Sequence, residues 1–325
     1  MAGVAARGRS LAPRGCDHSH EGGLTPQAVG QDRNREERAM KIGVSGASGK
    51  LGAGVVAHLG LRPGVEVVGI TRTPKTLAGH ETRFGDYDQA ESLDAAYAGL
   101  DRLLIIPTVA LAPGQRTRQN LAAIDAARRA GVPHVVFMSS AGARARPEPD
   151  VWASYFAAEQ HLMRTAPRWS ILRMNYYAES FADEAKAALA QGALVGLGEN
   201  RVAFVSRADL AAAAAGLLAG EGHEGAVYTG TGPRNWTGAE RADLVARLSG
   251  KALNHVVMPV KDLRARFLAA GLPPHVVEVV LSIRQGFVAG GFDIVTGDIE
   301  NLSGRAPQSL EAILIQAFAD QGASA

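Results

Sequence analysis

Short apolar runs alternate along the chain with longer segments in which apolar residues recur every three or four positions. The runs have the length of strands that are buried on both faces, and the longer segments have the period of amphipathic helices. Strands that alternate with helices favour a parallel sheet with helices on both faces. The pattern predicts strands over 41–45, 65–70, 82–86, 102–107, 134–140 and 169–173, and helices over 53–59, 92–97, 116–130 and 151–165.

The first predicted strand ends in a turn of spacing G-x-x-G-x-x-G, directly before a predicted helix. Gly46 permits a tight turn, Gly49 lets a pyrophosphate approach the backbone, and Gly52 lets the helix pack closely on its strand. The free N–H groups and the positive dipole end of that helix then face the anion. The sequence predicts a dinucleotide site, and a tight strand–helix turn without a ligand is the alternative. The candidate residues are Gly46, Ala47, Ser48, Gly49, Lys50, Leu51 and Gly52.

The end of the second predicted strand indicates which dinucleotide is bound. A site that prefers NAD places a carboxylate here, on the 2′-hydroxyl of the ribose. Arg72 and Lys75 stand here instead, and such cations suit the 2′-phosphate of NADP(H). The sequence therefore predicts NADP(H), with a solvated basic turn as the alternative.

The carboxyl ends of parallel strands meet at one edge of a sheet, and open α/β sheets bind their ligands there. Residues that follow the predicted strands should therefore face one cleft. This group consists of Arg72, Asp86, Ile106, Pro107, Ser139 and residues 174–179.

Composition narrows the class of protein. The 325 residues are 46% hydrophobic and 20% charged, which suffices for one large core or two lobes. The 34 basic and 32 acidic residues leave a net charge of +2, which argues against a nucleic-acid binder. The single cysteine, Cys16, allows no internal disulfide and no cysteine cluster, so we predict no metal site. No apolar run is long enough to span a bilayer; we expect a cytoplasmic protein, and the sequence is compatible with a homodimer.

The first 39 residues differ in composition from the rest of the chain. They are rich in Arg, Gly and polar residues, show no apolar period and lack the apolar region of a secretory signal. Met40 stands directly before the first predicted strand. We expect residues 1–39 to be disordered or a mis-called extension, and Met40 to be the natural start.

Several short motifs follow one another along the chain: GASGKLG at 46–52, RTP at 72–74, GDY at 85–87, GV at 131–132, ILR at 171–173 with Tyr177 and Glu179, SRAD at 206–209 and GHEGAVY at 222–228. Together they resemble the NmrA-like branch of atypical short-chain dehydrogenases, and within it the NADPH-dependent quinone oxidoreductases and triphenylmethane-dye reductases. The resemblance runs from about residue 41 to the C-terminus. It implies an α/β protein with a Rossmann-type, doubly wound parallel sheet in an NADP(H)-binding domain over 40–175. It also implies a small α+β C-terminal substrate lobe over 176–325, parts of which return to the sheet, and NADPH as the hydride donor.

The resemblance further implies cofactor contacts after the fourth and sixth predicted strands. In the family, residues that match Ile105, Ile106 and Pro107 contact the cofactor, and the segment that matches 174–179 lines the nicotinamide. The Asn-Gly pair of the family is replaced here by Met174 and Asn175. The candidates in the second segment are Met174, Asn175, Tyr176, Tyr177, Ala178 and Glu179.

The sequence lacks the catalytic pair of ordinary short-chain dehydrogenases. Those enzymes place a lysine four residues after a tyrosine, where it lowers the pKa of the phenol. Here Glu159, not a lysine, stands four residues after Tyr155. A carboxylate at this position is expected to raise the pKa of the phenol. A quinone or dye accepts hydride with less help than a simple ketone, so the missing lysine favours a conjugated acceptor. Tyr155 and Ser139 are the candidate catalytic residues, with a packed ring and a plain strand-end serine as the alternatives.

The C-terminal half is expected to shape the substrate pocket. Asp209 is placed to cap an Ala-rich helix over 210–220 and to pair with Arg207. Thr237 and Glu240 have the spacing of a capping box. The Gly-rich run 285–292 is expected to be a mobile loop near the cleft mouth. The candidates to stack on a flat substrate, each of which suits a core equally well, are Trp152, Tyr176, Tyr177, Phe181 and Phe287.

From these observations we expect an NADPH-dependent oxidoreductase that transfers hydride to a quinone, a dye or a similar small, apolar, conjugated acceptor. Two alternatives remain open. One is a non-catalytic NADP(H)-sensing regulatory protein, because the NmrA-like branch includes regulators that bind the nucleotide without turnover. The other is a biosynthetic enone or ketone reductase.

Overall fold

A parallel seven-stranded sheet forms the centre of the protein. The computed structural model describes residues 38–74, 77, 79–147 and 150–322. Its strands are β1 Met40–Ser45, β2 Val65–Thr71, β3 Glu81–Phe84, β4 Arg102–Ile105, β5 His134–Ser140, β6 Arg168–Met174, β7 Ala193–Gly196, β8 Arg201–Val202, β9 Ala226–Gly230, β10 Trp236–Thr237 and β11 Asn254–Val257. The strand order is β3-β2-β1-β4-β5-β6-β9, and neighbouring strands run parallel. This order confirms the predicted doubly wound α/β class.

Helices cover both faces of the sheet. The helices are α1 Lys50–Gly60, α2 Ala90–Tyr97, α3 Gln115–Arg129, α4 Val151–Thr165, α5 Ala178–Gln191, α6 Arg207–Ala219, α7 Gly238–Ser249, α8 Val260–Ala269, α9 Pro274–Val288, α10 Asp298–Ser303 and α11 Leu310–Gly322. One face packs against α1, α6 and α10, and the other against α2, α3 and α4. In the described part of the chain, none of these helices has both the length and the apolar character needed to cross a bilayer.

The strands are apolar on both sides because both faces of the sheet are covered. Successive strand residues point to opposite faces. Leu103 and Ile105 pack towards α2, α3 and α4, whereas Leu104 between them packs with α1 and α6. Since neither face meets water, the sequence shows continuous apolar runs rather than an alternating pattern, as is typical of parallel sheets.

Two strands end earlier than the sequence pattern predicts. β3 ends at Phe84 and β4 at Ile105. Beyond β4, the Ile106 amide still donates to the Ser45 carbonyl at 3.2 Å, but Pro107 has no N–H to continue the ladder. Asp86, Ile106 and Pro107 therefore lie in loops at the carboxyl edge of the sheet.

The chain after β6 forms smaller elements and then returns to the sheet. β7 pairs with β11, β8 pairs with β10, and β9 becomes the edge strand beside β6. From Ala39 onward the described residues form one compact unit, and the proposed division into 40–175 and 176–325 remains a prediction. Residues 1–37, which make up most of the predicted N-terminal extension, lie outside the described residues.

The start of α6 differs from the prediction. Ser206, not Asp209, is the N-cap residue, because its hydroxyl accepts from the Asp209 amide at 2.9 Å. The buried Asp209 carboxylate instead accepts from the Gln308 amide at 2.8 Å and pairs with Arg305 at 3.1 Å. The predicted pair with Arg207 was wrong, because a segment about 100 residues away supplies the partners.

The start of α7 has the predicted capping box. The Thr237 hydroxyl accepts from the Glu240 amide at 3.2 Å, and the Glu240 carboxylate accepts from the Thr237 amide at 2.7 Å. The two residues are only three positions apart in the sequence, so their spacing alone was enough to predict the capping box.

A buried carboxylate fastens α4 to the sheet. Glu159 is fully buried and accepts two hydrogen bonds from the Arg173 guanidinium of β6, at 2.8 and 2.6 Å. The Ser139 hydroxyl of β5 donates to the same carboxylate at 2.6 Å. A buried carboxylate needs such partners, because its charge is otherwise severely destabilised away from water. This network holds α4, and with it Tyr155, at a fixed height above two strands.

We predict that Arg173→Met destabilises the protein by about 2–4 kcal/mol, because it leaves the Glu159 carboxylate buried without its cation. Urea unfolding followed by circular dichroism measures the change. The double variant Glu159→Gln/Arg173→Met removes both charges and should recover most of the lost stability.

Arg168→Met is the matched control for that experiment, since Arg168 is an exposed arginine at the start of the same strand. Its ion pair with Glu224 spans 3.8 Å at the surface, so it should change stability by less than about 1 kcal/mol. Equal losses for Arg168→Met and Arg173→Met would show that the Glu159 network does not anchor α4.

Candidate active site

A cleft of about 690 Å³ opens at the carboxyl edge of the sheet. The glycine turn after β1, the end of β2, the loops after β3 and β4, and the start of α6 form its walls. The structure thus brings together residues that the sequence distributes over 160 positions. The predicted site residues that line the cleft are Gly46, Ser48, Gly49, Lys50, Leu51, Gly52, Arg72, Asp86, Ile106, Pro107, Tyr155, Met174 and Tyr177.

The glycine turn places α1 directly against the end of β1. Gly46 has a φ of +92°, a conformation that side chains disfavour. The Gly46 and Ala47 amides donate to the Ile70 carbonyl at 3.0 and 3.2 Å, which fixes the turn on β2. A Cβ atom on Gly52 would lie 2.3 Å from the Gly46 carbonyl oxygen. The helix can therefore approach this closely only with glycine at position 52.

Arg72 lies where the second strand leaves the sheet. β2 ends at Thr71, whose hydroxyl donates to the Ser48 hydroxyl at 2.9 Å and so ties the strand end to the glycine turn. Arg72 is exposed at the cleft, and its side chain makes no hydrogen bond or ion pair with the part of the chain that the structure describes. Its guanidinium is thus available to a ligand. Lys75, the second predicted cation, lies outside the described residues.

A network of hydrogen-bonded side chains forms one wall of the cleft. The Tyr87 hydroxyl donates to the Ile106 carbonyl at 3.0 Å, and burial raises the pKa of that phenol. The Gln119 amide donates to the Asp88 carboxylate at 2.9 Å and accepts from the Thr108 hydroxyl. These contacts join the loops after β3 and β4 to α3, so this side of the cleft is held in one shape.

The segment after β6 contributes two of its six predicted residues. Met174 and Tyr177 line the cleft, and the Arg207 guanidinium lies over the Tyr177 ring at 4.6 Å. Asn175 is turned away, since its side chain donates to the Phe292 carbonyl and accepts from the Tyr176 amide.

The other residues of this segment have structural partners. Tyr176 packs edge-on against Phe287 at 4.9 Å, and Ala178 is fully buried at the start of α5. Glu179 accepts from the Arg207 amide at 2.9 Å. The structure therefore does not bring Asn175, Tyr176, Ala178 or Glu179 to the cleft.

Ala47 and Ile105 also lie away from the cleft. Both are fully buried. Ala47 packs towards β2, and Ile105 points from β4 towards α2, α3 and α4. Ile105 lies next to Ile106, which does line the cleft, and the alternation of side-chain direction explains the difference. Ala47 lies in the turn between two cleft residues, Gly46 and Ser48, with its side chain in the core.

Ser139 does not reach the cleft either. Met138 lines it, and the next side chain along β5 points to the opposite face, where the Ser139 hydroxyl is bound by Glu159. The predicted role of Ser139 as a catalytic residue conflicts with this placement, because the single proton of its hydroxyl is donated to the buried Glu159 carboxylate.

Tyr155 does line the cleft, and the structure corrects the expected cause of its pKa. The residue is 7% exposed, and burial raises the pKa of its phenol, while the neighbouring Arg116 guanidinium partly opposes the shift. Glu159 is engaged by Arg173 and Ser139 and is not a cause. The phenol is therefore protonated at neutral pH, which suits a proton donor and not a base.

Most of the candidate stacking rings belong to the core. Trp152, Phe287 and Phe292 pack together, with Trp152 and Phe292 at 5.3 Å and Phe287 and Phe292 at 5.2 Å. Phe181 is fully buried against Phe204. The run 285–292 was wrongly expected to be a loop, because its first half completes α9 and its aromatic residues are buried. Tyr177 is the stacking candidate that lines the cleft.

Several cleft residues were missed by sequence reasoning. They lie on β5, on the loops after β3 and β4, on the first turns of α3, and at the start of α6. Tyr87 and Arg207 belong to motifs that carried the family resemblance, whereas nothing in the local pattern marked the others. They are Tyr87, Asp88, Thr108, Arg116, Gln119, Met138 and Arg207.

Comparison with known proteins identifies the family. Residues 46–221, more than half of the chain, match the family described as NAD(P)H-binding. The chain belongs to the NAD(P)H-binding family. Quinone oxidoreductase 2 of Escherichia coli (strain K12) is 32% identical over 257 residues, which cover 77% of this chain and 89% of that protein.

Two solved structures resemble this NAD(P)H-binding protein along most of its length. The NADPH-dependent quinone oxidoreductase of Escherichia coli, complexed with NADPH, has a TM-score of 0.79 and 30% identity and covers 85% of this chain and 99% of its own. The Citrobacter sp. triphenylmethane reductase, complexed with NADP(H), has a TM-score of 0.76 and 32% identity over 86% and 100% of the two chains. The family resemblance and the fold that it implied are thereby confirmed.

The cleft of this NAD(P)H-binding protein fits the pyrophosphate of a dinucleotide. α1 begins at Gly49 without a side-chain cap and without an acidic residue in its first turn, so its amides are free to meet an anion. A Cβ atom on Gly49 would touch the Gly46 oxygen at 3.3 Å and otherwise project into open space. That open space above the helix end is the cradle that a phosphate would fill. Which residues contact the cofactor remains a prediction.

We predict that Gly49→Ala mainly weakens binding of the cofactor, whereas Gly52→Ala mainly lowers the stability of the fold. In Gly49→Ala the new methyl group occupies the phosphate cradle, so binding of NADP⁺ should weaken by roughly tenfold or more, about 1.4 kcal/mol. In Gly52→Ala the methyl group meets the backbone of the turn, so the protein should lose about 1–3 kcal/mol of stability. Isothermal titration calorimetry and thermal unfolding distinguish the two effects, and unchanged affinity in Gly49→Ala would show that the cradle does not hold a phosphate.

Proposed function

We propose that this protein is an NADPH-dependent oxidoreductase that transfers hydride to a quinone, a dye or a similar conjugated acceptor. The observation that carries the proposal is the cleft itself. It brings together the glycine turn before α1, the exposed Arg72, which has no partner among the described residues, and the buried, protonated phenol of Tyr155. The relatives named above, a quinone oxidoreductase and a triphenylmethane reductase, support the same chemistry.

Each part of NADPH has candidate partners among the residues that line the cleft. The turn 46–52 would bind the pyrophosphate through backbone amides. Arg72 would pair with the 2′-phosphate, and Asp86 and Tyr87 lie beside it. Met174, Ile106 and Pro107 would flank the nicotinamide.

The bound cofactor would supply the hydride. The protein would hold the acceptor close to the cofactor, exclude water from the cleft and donate a proton. Ile106, Met138 and Met174 present apolar surface at the inner end of the cleft, which favours a flat apolar acceptor and excludes water. The Tyr155 phenol, protonated at neutral pH, would donate a proton to the reduced acceptor.

The site suits a conjugated acceptor better than a simple ketone. A ketone needs its oxygen protonated as hydride arrives, and ordinary short-chain dehydrogenases meet that need with a Tyr–Lys pair. Here position 159 holds a carboxylate that is bound to Arg173. A quinone or dye is a stronger hydride acceptor, so closeness to the nicotinamide supplies most of the rate.

We predict that Arg72→Ala weakens binding of NADPH by about 1–3 kcal/mol and changes binding of NADH little, because only NADPH carries the 2′-phosphate. Kd values for both cofactors, from calorimetry, check the prediction. The matched control is Arg128→Ala, an exposed arginine in the last turn of α3, which should leave both affinities unchanged. An equal loss for NADPH and NADH in Arg72→Ala would refute the 2′-phosphate role.

We predict that Tyr155→Phe lowers kcat less than about tenfold, because water can protonate the reduced acceptor in place of the phenol. Burial holds the pKa of Tyr155 above its ordinary value of 10.0. The phenol therefore keeps its proton at lower pH and loses it only as pH rises through that raised pKa. Between pH 7 and 9 the kcat of the wild type should not fall on account of Tyr155; a decline in this range that Tyr155→Phe abolishes would contradict the assignment.

The decisive test of function is oxidation of NADPH, followed at the absorbance of the reduced nicotinamide, with benzoquinones, naphthoquinones and triphenylmethane dyes. Turnover that is faster with NADPH than with NADH supports the proposal. Tight binding of NADP(H) without turnover on any acceptor would instead support the NADP(H)-sensing alternative. We further propose a small-molecule substrate, which the same acceptors test, and a cytoplasmic location, which cell fractionation tests. The proposed homodimer is tested by analytical ultracentrifugation.

A further inference from the structure

Arg116 is a cation at the cleft without a counter-ion. It lies in the first turn of α3 and lines the inner part of the cleft. Its guanidinium lies 5.6 Å from the centre of the Tyr155 ring. Its Nε atom is buried and has no hydrogen-bond partner among the residues that the structure describes. No carboxylate within the described ranges forms an ion pair with it.

An acidic residue that lines a pocket together with Arg116 has other partners. Asp150 lines the small pocket that adjoins Arg116, but its carboxylate caps α4 by accepting from the Trp152 amide at 2.7 Å and also accepts from Ser282. The first turn of α3 itself carries no acidic residue. Among the described residues, Asp150 forms no ion pair with Arg116.

Other partly buried arginines around the cleft are paired. Arg173 is bound by Glu159 at 2.6 Å, and Arg207 is held by Glu179 at 3.6 Å. A partly buried cation without a partner is unfavourable, and it favours any anion that forms beside it. The contrast with Arg173 and Arg207 marks Arg116 as a group whose partner arrives with the ligand.

A quinone that accepts hydride becomes an anion. It gains a hydrogen and an electron pair from the reduced cofactor, so it is reduced by two electrons while the cofactor is oxidised by two. One of its oxygens then carries a negative charge until a proton is added, and in this cleft the Tyr155 phenol can donate that proton and regain one from water. Cations and hydrogen-bond donors that are fixed where such charge develops lower the barrier of the reaction.

We propose that Arg116 and the Tyr155 hydroxyl form the site for the oxygen anion that develops on the acceptor. Arg116 supplies the positive charge and Tyr155 the proton. The inference rests on the proposed function, because it assumes an acceptor whose oxygen becomes negative on reduction. It assigns to the first turn of α3 a part in the chemistry and restricts the preferred acceptors to those with a conjugated carbonyl oxygen.

The first test compares turnover of a naphthoquinone by variants. Arg116→Gln should lower kcat/KM roughly a hundredfold, the usual loss when one such donor is removed, and Arg116→Lys should restore part of it. Arg118→Gln is the matched control, since it removes the same charge from an exposed side chain in the same turn, and it should behave as the wild type. Thermal unfolding verifies that each variant is folded.

The second test measures the anion site without turnover. 4-Nitrophenol, a phenol that resembles the reduced acceptor and changes colour when it ionises, is titrated with base in the presence of the protein saturated with NADP⁺. Arg116 should stabilise the bound phenolate and lower the pKa of the bound phenol relative to that of the free one. The shift should disappear in Arg116→Gln and persist in Arg118→Gln.

Two outcomes would overturn the inference. One is a bound phenol whose titration is the same in the wild type and in Arg116→Gln. The other is an affinity for NADP⁺ that falls in Arg116→Gln as much as kcat/KM does, which would make Arg116 a cofactor ligand. A wild-type protein that reduces no acceptor, yet stabilises nitrophenolate through Arg116, would instead contradict the proposed function and support the anion site.

Discussion

The close approach of α1 to the end of β1 is the constraint on which the rest of the site depends. A single added methyl group at Gly52 would lie 2.3 Å from the Gly46 carbonyl oxygen, so the contact exists only because glycine stands at that position. The same approach directs the uncapped amides of α1 at the sheet edge. It also brings Ser48 to the end of β2, where Thr71 binds it and Arg72 follows. The position of α1 therefore sets both the direction of its amides and the placement of Ser48 beside the end of β2.

Around Tyr155, the properties of the cleft depend on which charged side chains have partners. Glu159 takes the position that a lysine holds in ordinary short-chain dehydrogenases, but it faces away from the cleft and fastens α4 to β5 and β6 through Ser139 and Arg173. The carboxylate thus has a structural task, and Tyr155, four residues earlier, is buried, which raises the pKa of its phenol and keeps it protonated at neutral pH. Arg116 lies beside that phenol, and no carboxylate in the described part of the chain pairs with it. A neutral acid and an unpaired cation form a site that favours negative charge on a ligand.

The wall formed by the loops after β3 and β4 explains how a cleft made of loops keeps its shape. Tyr87 is bound to the Ile106 carbonyl, and Gln119 joins Asp88 to Thr108. These bonds connect the two loops to each other and to α3, which itself packs on the sheet. Loops that are cross-linked in this way lose little entropy when a ligand binds, because they are already ordered.

The sequence by itself determined what depends on local pattern. Apolar runs and glycines predicted six strands of the parallel sheet and the tight turn before α1, and the three-residue spacing of Thr237 and Glu240 predicted a helix cap. Only the tertiary structure decided which neighbours along a strand face the cleft, because side chains alternate and a shift of one residue exchanges Met138 for Ser139. It alone also decided the partners of Asp209 and Glu159, which come from segments distant in sequence, and the burial of Phe287 and Phe292 in a run that looked like a loop. The burial of a side chain, its partners and its direction depend on how the whole chain packs, so a local sequence pattern cannot predict them.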